Sequence, residues 1–565
     1  MDGVSLVIES PSEASGSPHR SHALAADYFA FLAQSFPVMC ASDEFHFLPR
    51  AEKAADRLHE LEDLDGEKLE SVCDGLHSYR RAFARALEEA PDLEAGIDLE
   101  LLQSSSAGLL IELEQAPVWR TNPLLYLKIL FIGLDQALSR PWAKESDREE
   151  RTISRLRGSR ALLDRARENL SSVPTSQHSA ALLMIRDGTT FLQSLPRRLP
   201  ASLTHRLQAE LSLLLERLEA FDAHLRSKAP VPDRSLAATT LEATLRERFR
   251  SSWELSDISE LAAQEHRRSL EELAVWASRI DSGGSWQAIY SAGSERDRAA
   301  DPTELYAEEL RSLQRFFAGS VFEVSQSAHP LRLAPVPSYL RSVRSAASYA
   351  AALRSGETSS FFLSPQEVRG DTPSAGKAEP APQHQDVRFL TAHETIPGHH
   401  LIDARRRGLA NPVRRQIESP LFYEGFATYA EGLLCETGYA DAPWDRLVEQ
   451  RRRLWRACRC RLEIEMYRGR MTRKQGAELL AEAGVPSGHA LAQVDRYRLA
   501  PGYQLCYTLG SYELRQLSAS FLSRLGWNRF HHAVLASGQI PFSLLRRTLS
   551  ELCADNGAGR PTENQ

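Results

Sequence analysis

The chain has 565 residues, 42% of them hydrophobic and 25% charged, with a formal net charge of −7 and a pI near 6.2. That length and composition permit a large buried core, and the slightly acidic balance removes any global electrostatic case for a nucleic-acid partner. Seven scattered cysteines, odd in number and without zinc-ribbon spacing, suit reduced thiols in a cytoplasm better than a disulfide framework.

The first residues lack the basic and apolar regions of a secretory signal, and residues 11–21 are polar and serine-rich, so residues 1–22 are expected to be a disordered leader. From 23 to 300 helical periodicity dominates without a chemical motif, which reads as a helical scaffold and cleft wall. The most apolar stretch, 124–138, is too short to span a membrane and contains Lys128 and Asp135, so a buried helix and no membrane association are expected. Leu207, Leu211, Leu214, Leu218, Phe221 and Leu225 step by four and three and form one apolar stripe. Similar patterns recur over 51–90, 151–170 and 265–280, with breakers near Pro200, Pro230 to Pro232 and Ser282 to Gly284.

Residues 301–555 carry the chemistry. Asp301-Pro302-Thr303-Glu304 reads as an N-cap, a proline at the first helical position and an acid in the first turn. Strand signal is rare: Ser359-Ser360-Phe361-Phe362-Leu363-Ser364 is the best candidate and Val321-Phe322-Glu323-Val324 a weaker one. A Pro-, Gly- and Ala-rich loop is expected over 365–385, and a disordered tail over 556–565.

The most informative segment is His393-Glu394-Thr395-Ile396-Pro397-Gly398-His399-His400. It sets a carboxylate beside one histidine and adds two more, residue types that bind a divalent metal and activate water on it. Hydrolytic zinc sites commonly place two histidines one helical turn apart, with a glutamate after the first. Here the +4 position is Pro397, so that strict pattern is absent. On a straight helix a +7 residue is displaced by roughly 10 Å along the axis, too far for two ligands with bonds of about 2.0–2.1 Å to one ion. Pro397-Gly398 supplies the remedy, since proline deletes a helical hydrogen bond and glycine tolerates a distorted backbone. A bulge absorbing two residues would put His399 where the +4 histidine normally stands, with His400 as the competing candidate. Downstream, Phe422-Tyr423-Glu424-Gly425-Phe426-Ala427-Thr428-Tyr429-Ala430-Glu431 offers in Glu424 the acidic ligand such a site still needs, and in Glu431 a group to orient a ligand histidine.

From 390 to about 542 the chain resembles the bacterial domain-of-unknown-function family 885, within the gluzincin-like zinc metallopeptidases. That family shows His-Glu-x-x-Pro-Gly-His-His, then Glu-Gly-Trp-Ala-x-Tyr, then Arg-Tyr-x-x-x-Pro-Gly-Gln-Ala-x-x-Tyr-x-x-Gly, and a terminal Leu-x-x-Gly-x-(Val/Ile)-Pro. Here the corresponding stretches are His393 to His400, Glu424 to Tyr429, Arg496 to Gly510 and Leu535 to Pro541. The resemblance implies zinc held by His393, His399 and Glu424, with Glu394 as general base. It also implies a mainly α, large helical, cleft-containing metallopeptidase-like fold with a small β-ribbon near the active site. Two departures stand out. The family pattern Arg-x-x-x-Asp-x-Gly-(Ile/Leu)-His ends here at Tyr467, and the glutamine that often follows the double histidine is Ile402.

The expected reaction is metal-assisted amide hydrolysis of a peptide or peptide-like small molecule, with Glu394 taking the proton of the attacking water. Tyr467, Tyr497 or Tyr507 would hold the oxyanion with the metal. Tyr467 could replace the family histidine as a donor, but a phenol with a pKa of about 10 would replace it poorly in proton transfer. Arg496 could grip a substrate C-terminal carboxylate, or could instead pair with Glu463 or Asp495. Of the basic run Arg451, Arg452, Arg453, Arg456, Arg459 and Arg461, at most one is expected to reach the cleft. Ser360-Phe361-Phe362 could be an edge strand to which a peptide adds, or a buried structural ribbon. Two other functions share the residues: a non-haem iron oxygenase using a two-histidine, one-carboxylate triad, and a catalytically silent helical binding protein. The sequence leaves the oligomeric state open.

Overall fold

Apolar residues spaced three and four apart share one helical face, and burial follows that rule. The computed structural model describes residues 20–140, 144–198, 204–233, 238–296, 302–344, 347–363 and 386–558. Among them helices dominate, with one small sheet. The stripe from Leu207 to Leu225 lies on helix Thr204–Ser227, and all six of its residues are buried. The patterns over 51–90, 151–170 and 265–280 become a short turn at Glu52–Asp56 with helix Gly66–Glu88, helix Glu145–Asn169 and helix Leu255–Ile280. The apolar stretch forms the buried helix Pro123–Ser139, and no helix among the described residues is long and apolar enough to cross a membrane. One connected hydrophobic core runs from Ala25 to Cys553, so the two parts of the chain share an interior.

Helix Arg20–Ser35 begins inside the stretch expected as a leader, whose remaining residues lie outside the described ones. Helix Phe542–Ala558 takes in the first three residues of the expected tail, the rest of which also lies outside. Pro200, Asp301 and the loop expected over 365–385 are likewise outside, and the helix after Asp301 is Pro302–Phe316.

Five helices position the site: α1 (Val387–Glu394), α2 (His399–Arg407), α3 (Pro420–Glu436), α4 (Pro443–Tyr467) and α5 (Gln504–Leu525). α4 packs along helix Leu255–Ile280 and against α5, and α3 packs on α5. The α3–α5 crossing is set by two glycines. A Cβ on Gly425 would lie 2.5 Å from the Gly510 Cα, and one on Gly510 would lie 2.1 Å from the Leu421 carbonyl oxygen. Backbones therefore touch there, one residue from Glu424.

The sheet has strands β1 (Leu331–Pro335), β2 (Ala347–Ala350) and β3 (Ser359–Leu363) in the order β1-β3-β2. β3 is parallel to β1 and antiparallel to β2, with Phe361 opposite Leu333 on one side and Tyr349 on the other. This corrects the reading of Ser360-Phe361-Phe362 as an edge strand: both of its edges are already paired, and β2 is the edge on the site's side. Val321 to Val324 do not form a strand. Phe322 is instead buried in edge-to-face contacts with Phe317, Trp527 and His531, which holds this segment in a turn.

Candidate metal centre

α1 ends where Pro397-Gly398 was expected to break the helix. Thr395 leaves helical dihedrals (φ −123, ψ −99) and the Ile396–Pro397 peptide is cis. The Gly398 N–H donates to the Ala392 carbonyl at 2.9 Å and the Leu401 N–H to the Thr395 carbonyl at 3.2 Å. Both bonds span six residues where an α-helix spans four, so the loop absorbs two residues before α2 begins. Gly398 is required: a Cβ there would sit 2.0 Å from the His393 carbonyl oxygen and 2.4 Å from that of Ala392.

The loop brings the rings of His393 and His399 to 4.6 Å between centroids. Their Nε2 atoms lie 3.3 and 3.5 Å from one atom, Glu424 Oε2, and one ligand atom from each residue falls within 4.8 Å of the others. All three side chains are buried. Two tetrahedral bonds of about 2.1 Å place their ligand atoms about 3.4 Å apart, so both contacts match an edge of a zinc tetrahedron. Among the described residues the buried Glu424 Oε2 accepts no well-formed hydrogen bond, a costly condition that a cation between it and the two imidazoles would relieve. The residues present thus fit a zinc ion.

Around this set each group is held from behind. His393 Nδ1 lies 2.9 Å from Glu431 Oε1, and Glu431 is clamped by Arg452 and Arg456 through four hydrogen bonds of 2.5–2.8 Å. The His399 ring stacks on Tyr423 at 3.9 Å. Glu424 Oε1 accepts from the Tyr503 hydroxyl. Burial pushes the Glu424 carboxyl up, but His399 and His393 outweigh it and hold it well below the usual carboxylate range.

Glu394 stands outside the ligand set. Its Oε2 accepts the Tyr349 N–H of β2 at 2.7 Å. Burial, opposed by His399 and reinforced by Glu424, pushes its carboxyl up to about 7. His400 turns the other way. Its Nδ1 is 3.4 Å from the Tyr349 hydroxyl, which itself donates to Asp403 at 2.7 Å, and burial drives its pKa down to about 4.

A cavity of about 660 Å³ opens onto His393, Glu394, His399 and Glu424. Tyr467, Arg496, Tyr497 and Tyr507 all line it. Tyr507 is the one beside the centre, its ring 6.3 Å from that of His393 and nearly parallel to it. Tyr467 sits instead among Glu463, Glu112 and Arg498. The Tyr497 hydroxyl donates to Gln493 at 2.6 Å, and Arg496 Nη2 to the Val343 carbonyl at 3.0 Å. Asp495, one suggested partner of Arg496, pairs with Arg473. The other, Glu463, accepts the backbone N–H groups of Gly502 and Leu505 at 2.7 and 2.9 Å and so fixes the loop bearing Tyr503.

Sequence reasoning missed Tyr423, Tyr503 and His46, whose ring lies 4.7 Å from that of Tyr503. Tyr503 had one signal: it stands where the family pattern has glutamine. His46 had none, because it arrives from the distant N-terminal part.

The chain belongs to the family described as "Bacterial protein of unknown function (DUF885)", which it matches over residues 48–549. No curated protein matches it. Two solved structures share its fold. "The crystal structure of the putative lipoprotein from Colwellia psychrerythraea" superposes with a TM-score of 0.75 at 17% identity, covering 95% of this chain and 99% of that one. A "putative lipoprotein of unknown function from Shewanella oneidensis" gives 0.70 at 16%, covering 94% of this chain and 99% of that one.

Proposed function

We propose that this protein is a zinc-dependent hydrolase that cleaves amide bonds of peptides or peptide-like small molecules. The observation that carries the reading is the single oxygen, Glu424 Oε2, set 3.3 and 3.5 Å from two histidine Nε2 atoms, with a second carboxylate, Glu394, beside them and outside the ligand set. His393, His399 and Glu424 would hold the ion. Zinc bound there supplies a Lewis acid that acidifies water and polarises a carbonyl. Glu394, with one oxygen fixed by the Tyr349 N–H, takes the proton of the attacking water and passes it to the leaving amine. Tyr507, beside His393, is the best placed of the expected phenols to donate to the oxygen on which charge develops.

The presence of Glu394 favours hydrolysis over an iron oxygenase, whose facial triad needs no neighbouring base. Elemental analysis of protein purified without chelator, with a peptide-library cleavage screen, tests the reading. Zinc at one per chain and cleavage lost in Glu394→Gln support it; iron with oxygen-dependent turnover overturns it. We place the protein in the cytoplasm, on the strength of seven unpaired, buried cysteines. Fractionation tests this, and recovery with membranes, in line with the lipoprotein descriptions of the two solved structures, would reverse it.

A further inference from the structure

Arg459 lines the cavity of the His-His-Glu cluster and is buried, at 7% exposure. Its neighbours in the basic run of α4 are neutralised elsewhere: Arg452 and Arg456 by Glu431, Arg453 by Glu265. Three other cations on the cavity wall form direct carboxylate pairs, Lys128 with Glu44, Arg344 with Asp43 and Glu44, Arg498 with Asp233. Arg248 and Arg496 donate instead to the backbone carbonyls of His46 and Val343. Arg459 is set apart by its aromatic surroundings. Among the described residues its guanidinium donates to Gln504 Oε1, from Nε at 2.9 Å and Nη2 at 2.5 Å, and to the Tyr507 hydroxyl. Neither acceptor is charged at neutral pH. The rings of Trp455, Tyr497 and Tyr507 surround its Cζ at 4.6, 4.8 and 4.2 Å. Glu424 and Glu463 act on it only through space; among the described residues its direct partners are neutral acceptors and aromatic faces, which fix the fork without a contacting anion.

We infer that Arg459 anchors a carboxylate of the substrate, which narrows the class to short peptides or peptide-like acids with that carboxylate within about three residues of the scissile bond. The word substrate rests on the hydrolase reading above; the anion site rests on the geometry of Arg459 alone. Tyr507 measures the span, since its ring is 6.3 Å from the His393 ring and 4.2 Å from the Arg459 Cζ. An extended chain advances about 3.3–3.6 Å per residue, so two such steps need no more than about three residues. The carboxylate is either a C-terminus or an Asp or Glu side chain, and the test separates them.

The test is calorimetric binding to the full-length, zinc-reconstituted protein carrying Glu394→Gln, with and without Arg459→Met or Arg459→Lys. The probes are N-acetyl-Ala-Ala-Phe with a free carboxylate, its C-terminal amide, and N-acetyl-Ala-Ala-Glu amide. At least one acidic probe should bind about tenfold or more tighter than the neutral amide, and the preferred one identifies the source of the carboxylate. Arg459→Met should erase the difference with zinc content and circular dichroism unchanged. If that variant fails to fold, Arg459→Lys decides: it should weaken the preferred acid about fivefold or more and leave the neutral amide unchanged, because a lysine cannot form the bidentate pair. Equal binding of all three probes, no binding of any, or a preference that survives both substitutions overturns the inference. Cleavage is scored separately with Glu394 intact: an acid preference without any cleavage leaves the anchor standing and removes the hydrolase reading instead.

Discussion

Glu431 Oε1 lies 2.9 Å from His393 Nδ1, on the opposite side of the imidazole from the Nε2 that faces Glu424. A proton held between Nδ1 and this carboxylate leaves the Nε2 lone pair for a metal and fixes the ring's direction. Glu431→Gln should therefore lower zinc affinity about 10–100-fold, measured by competition with a chromophoric chelator. Glu431→Ala also strands the buried Arg456 and leaves Arg452 with Asp386 alone, and should cost about 3–5 kcal/mol in denaturant unfolding. Unchanged affinity in Glu431→Gln would remove Glu431 from any role in holding His393.

Gly510 should tolerate no side chain. A methyl group there meets the Leu421 carbonyl oxygen at 2.1 Å, which separates α3 from α5 and withdraws Glu424 from the histidines. Gly510→Ala should lose about 1–3 kcal/mol of stability, the scale of overpacking, and zinc content should fall with it. An unchanged melting temperature would contradict the crossing.

What the sequence disclosed, and what it concealed, divides along the range of the forces involved. The stripe from Leu207 to Leu225 and the break at Pro397-Gly398 were legible because periodicity and proline chemistry act within a few residues. Leu331-Arg332-Leu333 does alternate, yet β1 is only five residues and ends in Pro335, and β2 is four residues with two alanines. Signals that short are indistinguishable from loop. Val321 to Val324 carried strand propensity that the burial of Phe322 against Trp527 and His531 overrides. At the site, His393, His399 and Glu424 are gathered as the motifs imply. Tyr503 and His46 meet across more than four hundred residues of chain, and no local pattern encodes such a contact. Arg459 looked like one more residue of a solvated basic face; its burial on the cavity wall among Trp455, Tyr497 and Tyr507 sets it apart.

The roles of the two carboxylates nearest the histidines should separate cleanly. Glu394→Gln removes the base but none of the three ligand atoms, so it should retain zinc and lose at least about 10²-fold in turnover. Glu424→Ala removes the shared oxygen and should lose zinc. Metal content and steady-state rates on one peptide substrate report both. Zinc released by Glu394→Gln and retained by Glu424→Ala would reverse the assignments.

Two phenols should behave differently. Tyr503 donates to Glu424 Oε1 and leaves Oε2 to the histidines, so Tyr503→Phe should weaken zinc binding about tenfold. Tyr467 lines the cavity away from the ligand set, so Tyr467→Phe should leave zinc affinity unchanged. If Tyr467 is an oxyanion donor, its loss lowers kcat with little change in KM. Unchanged kinetics would leave Tyr507 to that role.

The adjacent histidines give the last and most direct test of the loop. With two residues absorbed between Ala392 and Gly398, His399 faces Glu424 while His400 points toward Tyr349 and Asp403. His399→Ala should abolish zinc binding and leave the apo fold largely intact, since its ring packs chiefly on Tyr423. His400→Ala should keep zinc at one per chain and instead destabilise the protein by about 1–3 kcal/mol, because it empties a buried position and strands a polar neighbour. Elemental analysis and thermal unfolding of the same two preparations separate the outcomes. If zinc survives His399→Ala and is lost in His400→Ala, the loop does not absorb two residues in solution, and His400 is the second ligand.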